Sequence, residues 1–309
     1  MSNLTQRIIT AVVLLALFIP ALMVRTPWPF LILTLLLIAA AAWEWSQLIG
    51  WTGWRAWASG AFCAVCGVGL SILTSNAYLL AINPSKYRQW LLVIVTAFTV
   101  ACLYWIVGGP WLLWRGVTRW PVLPRWWRWG IGMAMLIVAW FSLTVTYLYG
   151  VNYLLSVLVL VWTADIGAYA FGRALGGKLT GGRKLAPSIS PGKTWEGAVG
   201  GFICVLLVGA AWVWIESKSF SPSLYTTLWQ RGPVWFFGAL ALLTAMSVVG
   251  DLFESLVKRA AGAKDSSQLL PGHGGVLDRI DALLPVLPLA VMLITEFSAL
   301  MQLLSGKVQ

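Results

Sequence analysis

Ile131-Gly-Met-Ala-Met-Leu-Ile-Val-Ala-Trp-Phe-Ser-Leu-Thr-Val-Thr-Tyr-Leu-Tyr149 contains no charged residue. After a short break, Tyr153-Leu-Leu-Ser-Val-Leu-Val-Leu-Val-Trp-Thr-Ala-Asp-Ile-Gly-Ala-Tyr-Ala-Phe-Gly172 contains only Asp165. A helix rising about 1.5 Å per residue crosses the ~30 Å hydrocarbon core of a bilayer in about 20 apolar residues. Both runs therefore read as transmembrane helices. Working outward, similar runs fall at approximately 8–24, 30–48, 57–80, 90–107, 195–215, 234–253 and 283–303. The first has Arg7 before it but no convincing small-x-small cleavage site, since Pro20 and Arg25-Thr-Pro-Trp follow, so it reads as a retained span.

Composition agrees. Hydrophobic residues make up 60% of the 309 and charged residues only 10%, against about 25% charged in a soluble domain. Too little polar surface remains to coat a water-soluble globule. The expected fold is an all-α polytopic membrane protein with about nine spans; disorder, fibres, secreted disulfide scaffolds and cytosolic enzymes are excluded. The apolar runs around Cys63, Cys66, Cys102 and Cys204 make these small membrane-buried side chains, with no second Cys pair or neighbouring His to complete a metal site.

The net charge of +11 has a topological explanation, so no nucleic-acid partner is expected. With the N-terminus inside, the segments on that face hold 15 Lys and Arg against 6 outside, the latter being Arg25, Lys86, Arg88, Lys218, Arg231 and Lys307. Basic loops favour the cytoplasmic side and its anionic headgroups, which predicts N-inside, C-outside. Seven of the 21 tryptophans (Trp105, Trp111, Trp114, Trp120, Trp126, Trp127 and Trp129) crowd a stretch with four arginines and three prolines. This reads as an interfacial loop against membrane lipids, with guidance of an acidic lipid toward a site as the alternative. Residues 1–150 thus form an N-terminal transmembrane region, and residues 151–309 a C-terminal catalytic one with cytoplasmic loops 172–194 and 251–282.

The ten acids are uneven. Glu44 stands alone in the first 150 residues, whereas Asp251, Glu254, Asp265, Asp278 and Asp281 fall within 31 residues, beside Lys258, Arg259, Lys264, Arg279 and the sole histidine, His273. A positive-inside loop needs no carboxylates. Asp251, Glu254, Ser255 and Lys258 share one helix face by their spacing, and Asp278 and Asp281 are another i, i+3 pair at the start of span nine. Carboxylates without supporting Cys or His clusters suit hard cations such as Mg²⁺. Pro271-Gly-His-Gly-Gly275 between them reads as a turn whose backbone can approach a ligand.

Loop 172–194 carries five basic residues and no acid, ending in Ser188-Ile-Ser-Pro-Gly-Lys-Thr-Trp-Glu196. It is not a P-loop, because Pro187 stands where that motif needs Gly and a membrane span precedes it. Lys193 with the hydroxyls of Ser188, Ser190 and Thr194 can still hold phosphates. Asp165, inside span six, is a functional candidate by default. One face of the bilayer thus presents metal-type carboxylates and phosphate-type lysines, which points to phosphoryl or nucleotidyl transfer onto a lipid phosphate.

The segments Ser255-Leu-Val-Lys258-Arg259, Lys264-Asp265, Pro271-Gly-His-Gly-Gly275 and Asp278-Arg-Ile-Asp281 resemble the signature of the phosphatidate cytidylyltransferase (CDP-diglyceride synthase) family. Ser190-Pro-Gly-Lys-Thr-Trp-Glu196, Asp165-x-x-Ala-Tyr169 and Gly250-Asp-Leu-x-Glu-Ser255 resemble its other blocks, so the likeness covers roughly the second half of the chain. It implies transfer of CMP from CTP to phosphatidic acid with Mg²⁺, early in phospholipid synthesis, by a polytopic homodimer in the cytoplasmic (inner) membrane. Carried over, Asp251, Asp278 and Asp281 hold metal and, with Lys258 and Lys193, form the catalytic set. Lys193, Lys258, Arg259, Lys264 and Arg279 bind phosphate, Ser190 contacts nucleotide or lipid phosphate, and Asp165 and Asp265 join the substrate-facing residues. His273 is expected to donate a hydrogen bond to phosphate or the turn, rather than act as a base. Two rivals stand beside this reading: a CTP-dependent polyprenol or phytol kinase, and an ion-coupled transporter using Asp165 and Glu296 within spans.

Overall fold

The computed structural model describes residues 3–75, 84–216 and 222–294. Helices dominate: α1 (Asn3–Met23), α2 (Trp28–Leu48), α3 (Trp54–Ser75), α4 (Pro84–Leu103), α5 (Gly109–Arg115), α6 (Arg125–Tyr149), α7 (Val151–Leu175), α8 (Trp195–Glu216), α9 (Leu224–Gln230), α10 (Pro233–Ala260), α11 (Leu277–Ile280) and α12 (Leu283–Ile294). Among the described residues, eight helical stretches are long and apolar enough to cross a membrane. They match the first eight predicted spans, and α12 begins the ninth. The rest of that run, with Glu296, lies outside the described residues, as do residues 76–80, Lys218, Lys307 and the side chains of Lys86 and Arg88.

Three boundaries differ from expectation, each for a local reason. The fourth span does not stop near 107 but continues to Arg115. Pro110 has no N–H to give and would crowd a carbonyl one turn back; a π turn at Tyr104–Gly108 precedes it and lets α4 run on into α5. Trp105, Trp111, Trp114 and Arg115 are therefore helical, and the predicted Trp/Arg-rich loop shrinks to the segment before α6. Trp120 is buried there, not placed in a headgroup belt. The eighth span runs on past 253 to Ala260, so Glu254 and Lys258 continue the same helix as Asp251, on the one face that their spacing predicts. Pro233 starts that helix where no N–H is needed, and Gly262, at φ +70°, follows its end in the left-handed conformation. Residues 184–194, expected as an irregular glycine loop, form an antiparallel hairpin of β1 (Lys184–Ala186) and β2 (Ser190–Thr194).

The core lies where α2, α6, α7, α10 and α12 meet, around Trp45, Leu136, Trp140, Leu160, Leu243, Leu256 and Val286. Two close approaches fix the geometry. Gly197 and Gly201 of α8 lie against the carbonyls of Ala168 and Ala164 of α7, where a Cβ would come within 2.7 and 2.6 Å. This small-xxx-small packing is how membrane helices gain contact without a hydrophobic driving force. Gly132 of α6 lies under the Trp45 indole of α2, whose Nε1 donates to Arg128 O at 3.0 Å. Outer positions such as Ile8, Val12 and Leu15 of α1 are exposed, as expected of a lipid-facing surface.

Candidate active site

The hairpin delivers Lys193. Thr194 Oγ1 accepts from Gly197 N at 3.1 Å and so caps α8, which leaves its own proton to donate. Glu196 gathers the glycine turn ahead of the hairpin, accepting from Gly177 N (3.1 Å), Thr180 N (3.0 Å) and Thr180 Oγ1 (2.8 Å). Between these anchors Lys193 Nζ reaches Asp251 Oδ2 of α10 at 2.6 Å. The two polar loops placed on one face by sequence are thus physically joined. Ser190, at the other end of β2, pairs across the hairpin with Ala186 and is half-buried.

Asp281 sits at the joint of α11 and α12, where its Oδ1 accepts from Ala282 N at 2.7 Å. Gly250 allows this joint to lie against α10: a Cβ there would come 2.5 Å from Asp281 O and 2.9 Å from the Pro285 ring. The approach sets Asp281 beside Asp251. Burial, and then the Asp251 charge, push the Asp281 carboxyl well above the ordinary carboxylate range, with Lys258 opposing and Asp165 adding to the push. Asp165, exposed on α7, lies within electrostatic reach of both Asp251 and Lys193. Asp165, Lys193, Asp251 and Asp281 therefore form one charged cluster from four separate elements.

Lys258 belongs to a second network. Its ammonium bridges Glu254 and Asp278, the latter at 2.5 Å, with side-chain exposures of 12%, 1% and 6%. Asp278 Oδ2 also accepts from Ser266 N (2.9 Å), Ser266 Oγ (2.9 Å) and Gly275 N (2.8 Å). Burial alone would raise the Asp278 carboxyl, but the hydrogen bonds from Lys258, Gly275 and Ser266 hold it down to about 2. Lys258, expected as a phosphate binder, is turned into the protein, and Asp278, expected as a metal ligand, has both oxygens engaged. Replacing one partner of a buried ion network leaves charge uncompensated and costs about 3–5 kcal/mol. Lys258→Met is expected to lower the melting temperature in detergent sharply, whereas a pure phosphate contact would leave it unchanged and alter only nucleotide affinity.

An open cavity of about 810 Å³ adjoins this network, lined by Lys264, Asp265, Gly272, His273, Arg279 and, from α1, Gln6 and Arg7. Arg7 Nε donates to Gly272 O at 3.0 Å and Thr10 Oγ1 to Pro271 O at 2.8 Å, so the first span holds the glycine turn. The turn is closed by His273 N donating to Leu270 O at 2.8 Å. His273 Nδ1 is buried with no hydrogen-bond partner among the described residues. Lys264, Asp265, His273 and Arg279 are thus brought together as the sequence suggested. Arg259 is not among the lining residues; it is exposed and donates to Ala263 O at 3.0 Å.

Sequence reasoning missed Arg7, Thr10 and Glu44. Glu44, fully buried on α2, accepts hydrogen bonds from the loop that follows α10. Among the described residues no group of three or more His, Cys, Asp and Glu gathers closely enough to hold a metal ion. Asp278 is held in the Lys258 network, while Asp281 lies where Gly250 lets the α11–α12 joint approach α10, next to Asp251.

Comparison with known proteins adds an independent line. A profile of the cytidylyltransferase family matches residues 5–297. A phosphatidate cytidylyltransferase of Haemophilus influenzae is 36% identical over 302 residues, covering 92% of this chain and 96% of the relative. One from Pseudomonas aeruginosa is 37% identical over 294 residues, covering 94% and 97%. One from Staphylococcus aureus is 40% identical over 148 residues, about half of each chain.

Proposed function

The chain belongs to the cytidylyltransferase family, and from that premise we propose that it is a membrane-embedded phosphatidate cytidylyltransferase. It transfers CMP from CTP to phosphatidic acid, giving CDP-diacylglycerol and pyrophosphate. The observation that carries the reading is the junction of hairpin and α10 at Lys193–Asp251, which joins a lysine of one polar loop to a carboxylate at the start of the other.

In the reaction a phosphatidate oxygen attacks the α-phosphorus of CTP, and the bond from that phosphorus to the β-bridging oxygen breaks as pyrophosphate leaves. The attacking oxygen is already ionised near neutral pH, so no general base is required. The kinase rival differs in that its alcohol acceptor would want one. Lys193, Lys264 and Arg279 hold phosphate oxygens, with Arg7 beside them. His273 donates to phosphate or to its own turn.

Asp251 and Asp281 are hard oxygen donors on two adjoining elements, and a pair is what Mg²⁺ usually takes from protein, leaving other positions to water and substrate phosphates. We assign Mg²⁺ to this pair; when bound it offsets charge on the α-phosphate and the departing pyrophosphate. The reading includes a homodimer in the cytoplasmic membrane with the site facing the cytoplasm.

Two experiments test it. Purified protein given CTP and phosphatidate should release pyrophosphate in step with lipid consumed; release of CDP would instead indicate a kinase. For sidedness, single cysteines introduced at Thr180 and Gln268 should escape an impermeant thiol reagent in intact cells and react after permeabilisation. Labelling of either in intact cells would overturn the orientation.

A further inference from the structure

We infer that Glu44, a residue of the second membrane helix, is a positioning residue that sets the loop between α10 and α11, which lines the cavity; the inference rests on the cytidylyltransferase reading. Glu44 is fully buried. Its Oε1 accepts from Ser267 Oγ at 2.6 Å and Val276 N at 2.9 Å, and its Oε2 from Leu277 N at 2.7 Å and Ser266 Oγ at 3.1 Å. Two hydroxyls and two backbone N–H groups from both ends of one loop thus converge on a single carboxylate. The loop between those ends contains the Pro271–Gly275 turn and His273.

The connection to the chemistry is direct. Ser266 Oγ lies within hydrogen-bond distance of both Glu44 Oε2 and Asp278 Oδ2. A hydroxyl has one proton, so it serves one of the two carboxylates at a time and couples their positions. Gly275 closes the arrangement: a Cβ there would overlap Ser266 Oγ and come 2.5 Å from Glu44 Oε1. The helix bearing Glu44 is itself fixed in rotation. The adjacent Trp45 donates to Arg128 O at 3.0 Å and stacks on Phe253, between Asp251 and Glu254, at 6.2 Å between ring centroids. Glu44 and Trp45 together tie the N-terminal half of the bundle to both walls of the site.

Glutamine is the informative replacement, because it matches the shape but supplies one acceptor oxygen and one NH₂ donor. Either orientation of the amide points hydrogens at one backbone N–H, which cannot reverse its role as a hydroxyl can. Glu44→Gln should therefore loosen the loop, raise the KM for CTP at least about tenfold and speed trypsin cleavage after Lys264 and Arg279. Ser267→Ala should do the same more weakly. Because Ser267 acts through Glu44, the double variant should be no worse than Glu44→Gln alone. Glu216→Gln is the control: it is a buried acid whose hydrogen bonds go to Asn152 Nδ2 at 2.8 Å and to Ser223, away from the loop. It should lower thermal stability while leaving the CTP KM and loop cleavage unchanged.

Unchanged loop cleavage and KM in Glu44→Gln, additive losses in the double variant, or a lowered melting temperature with parental kinetics would each overturn the assignment. If the parent protein fails to turn over CTP with phosphatidate, the functional reading falls, and loop cleavage still decides the role of Glu44.

Discussion

Asp281→Asn and Asp251→Asn should each reduce CDP-diacylglycerol formation by about 10³-fold or more, while the proteins remain folded. The expectation follows from charge. The two residues lie where Gly250 lets α10 approach the α11–α12 joint, and burial, then the Asp251 charge, raises the Asp281 carboxyl. Facing carboxylates repel unless a cation lies between them. Asparagine keeps the size and removes one charge, which relieves repulsion in the metal-free protein and abolishes half of the cation's anchor. A divalent ion contributes several kcal/mol of charge stabilisation in such transfers, and about 1.4 kcal/mol is tenfold in rate. The measurement is turnover against Mg²⁺ concentration, alongside thermal melting of the same preparations. Asp278→Asn is expected to behave differently. Its oxygens hold Lys258, Ser266 and Gly275, so it should lose stability as well as activity. Near-normal turnover of Asp281→Asn, or Mg²⁺-independent turnover of the parent, would refute the pair.

Lys193→Glu should raise the CTP requirement by about 100-fold. Losing a charge-assisted hydrogen bond costs roughly 1.5–3 kcal/mol, and the new carboxylate would face both the incoming phosphates and Asp251, now 2.6 Å from the lysine nitrogen. Lys193 is partly exposed, at 24%, and stands on a hairpin that Thr194 and Glu196 anchor independently, so folding should survive. Arg231→Glu, just before the opposite end of α10, should leave CTP dependence unchanged. Equal CTP dependence in the two variants would remove Lys193 from the site.

Much of the architecture was legible because membrane helices announce themselves by length and apolarity, and eight predicted spans have counterparts among the described residues. The density of acids between 251 and 281 likewise marked the segment in which Asp251, Lys258, Asp278 and Asp281 are drawn into charged networks. Partner choice was not legible. Spacing places Glu254 and Lys258 one turn apart, but whether that ammonium faces phosphate or turns inward depends on Asp278, 20 residues away. Hydroxyls show the same limit: that Thr194 caps α8 is not visible until Gly197 N is seen upon it. Glu44 did carry a signal, being the sole acid of the first 150 residues and lying inside a span. Such a residue is functional by default, as Asp165 and Glu296 are within their own spans. Arg7 and Thr10 carried none, since their targets are backbone carbonyls more than 260 residues distant.

The most direct test of the central claim follows two labels at once: CTP carrying one isotope in the α-phosphate and another in the γ-phosphate, incubated with purified protein, phosphatidate and Mg²⁺. The account predicts that the α label enters lipid and the γ label leaves as pyrophosphate. Entry of the γ label into lipid, or of neither label, would contradict it.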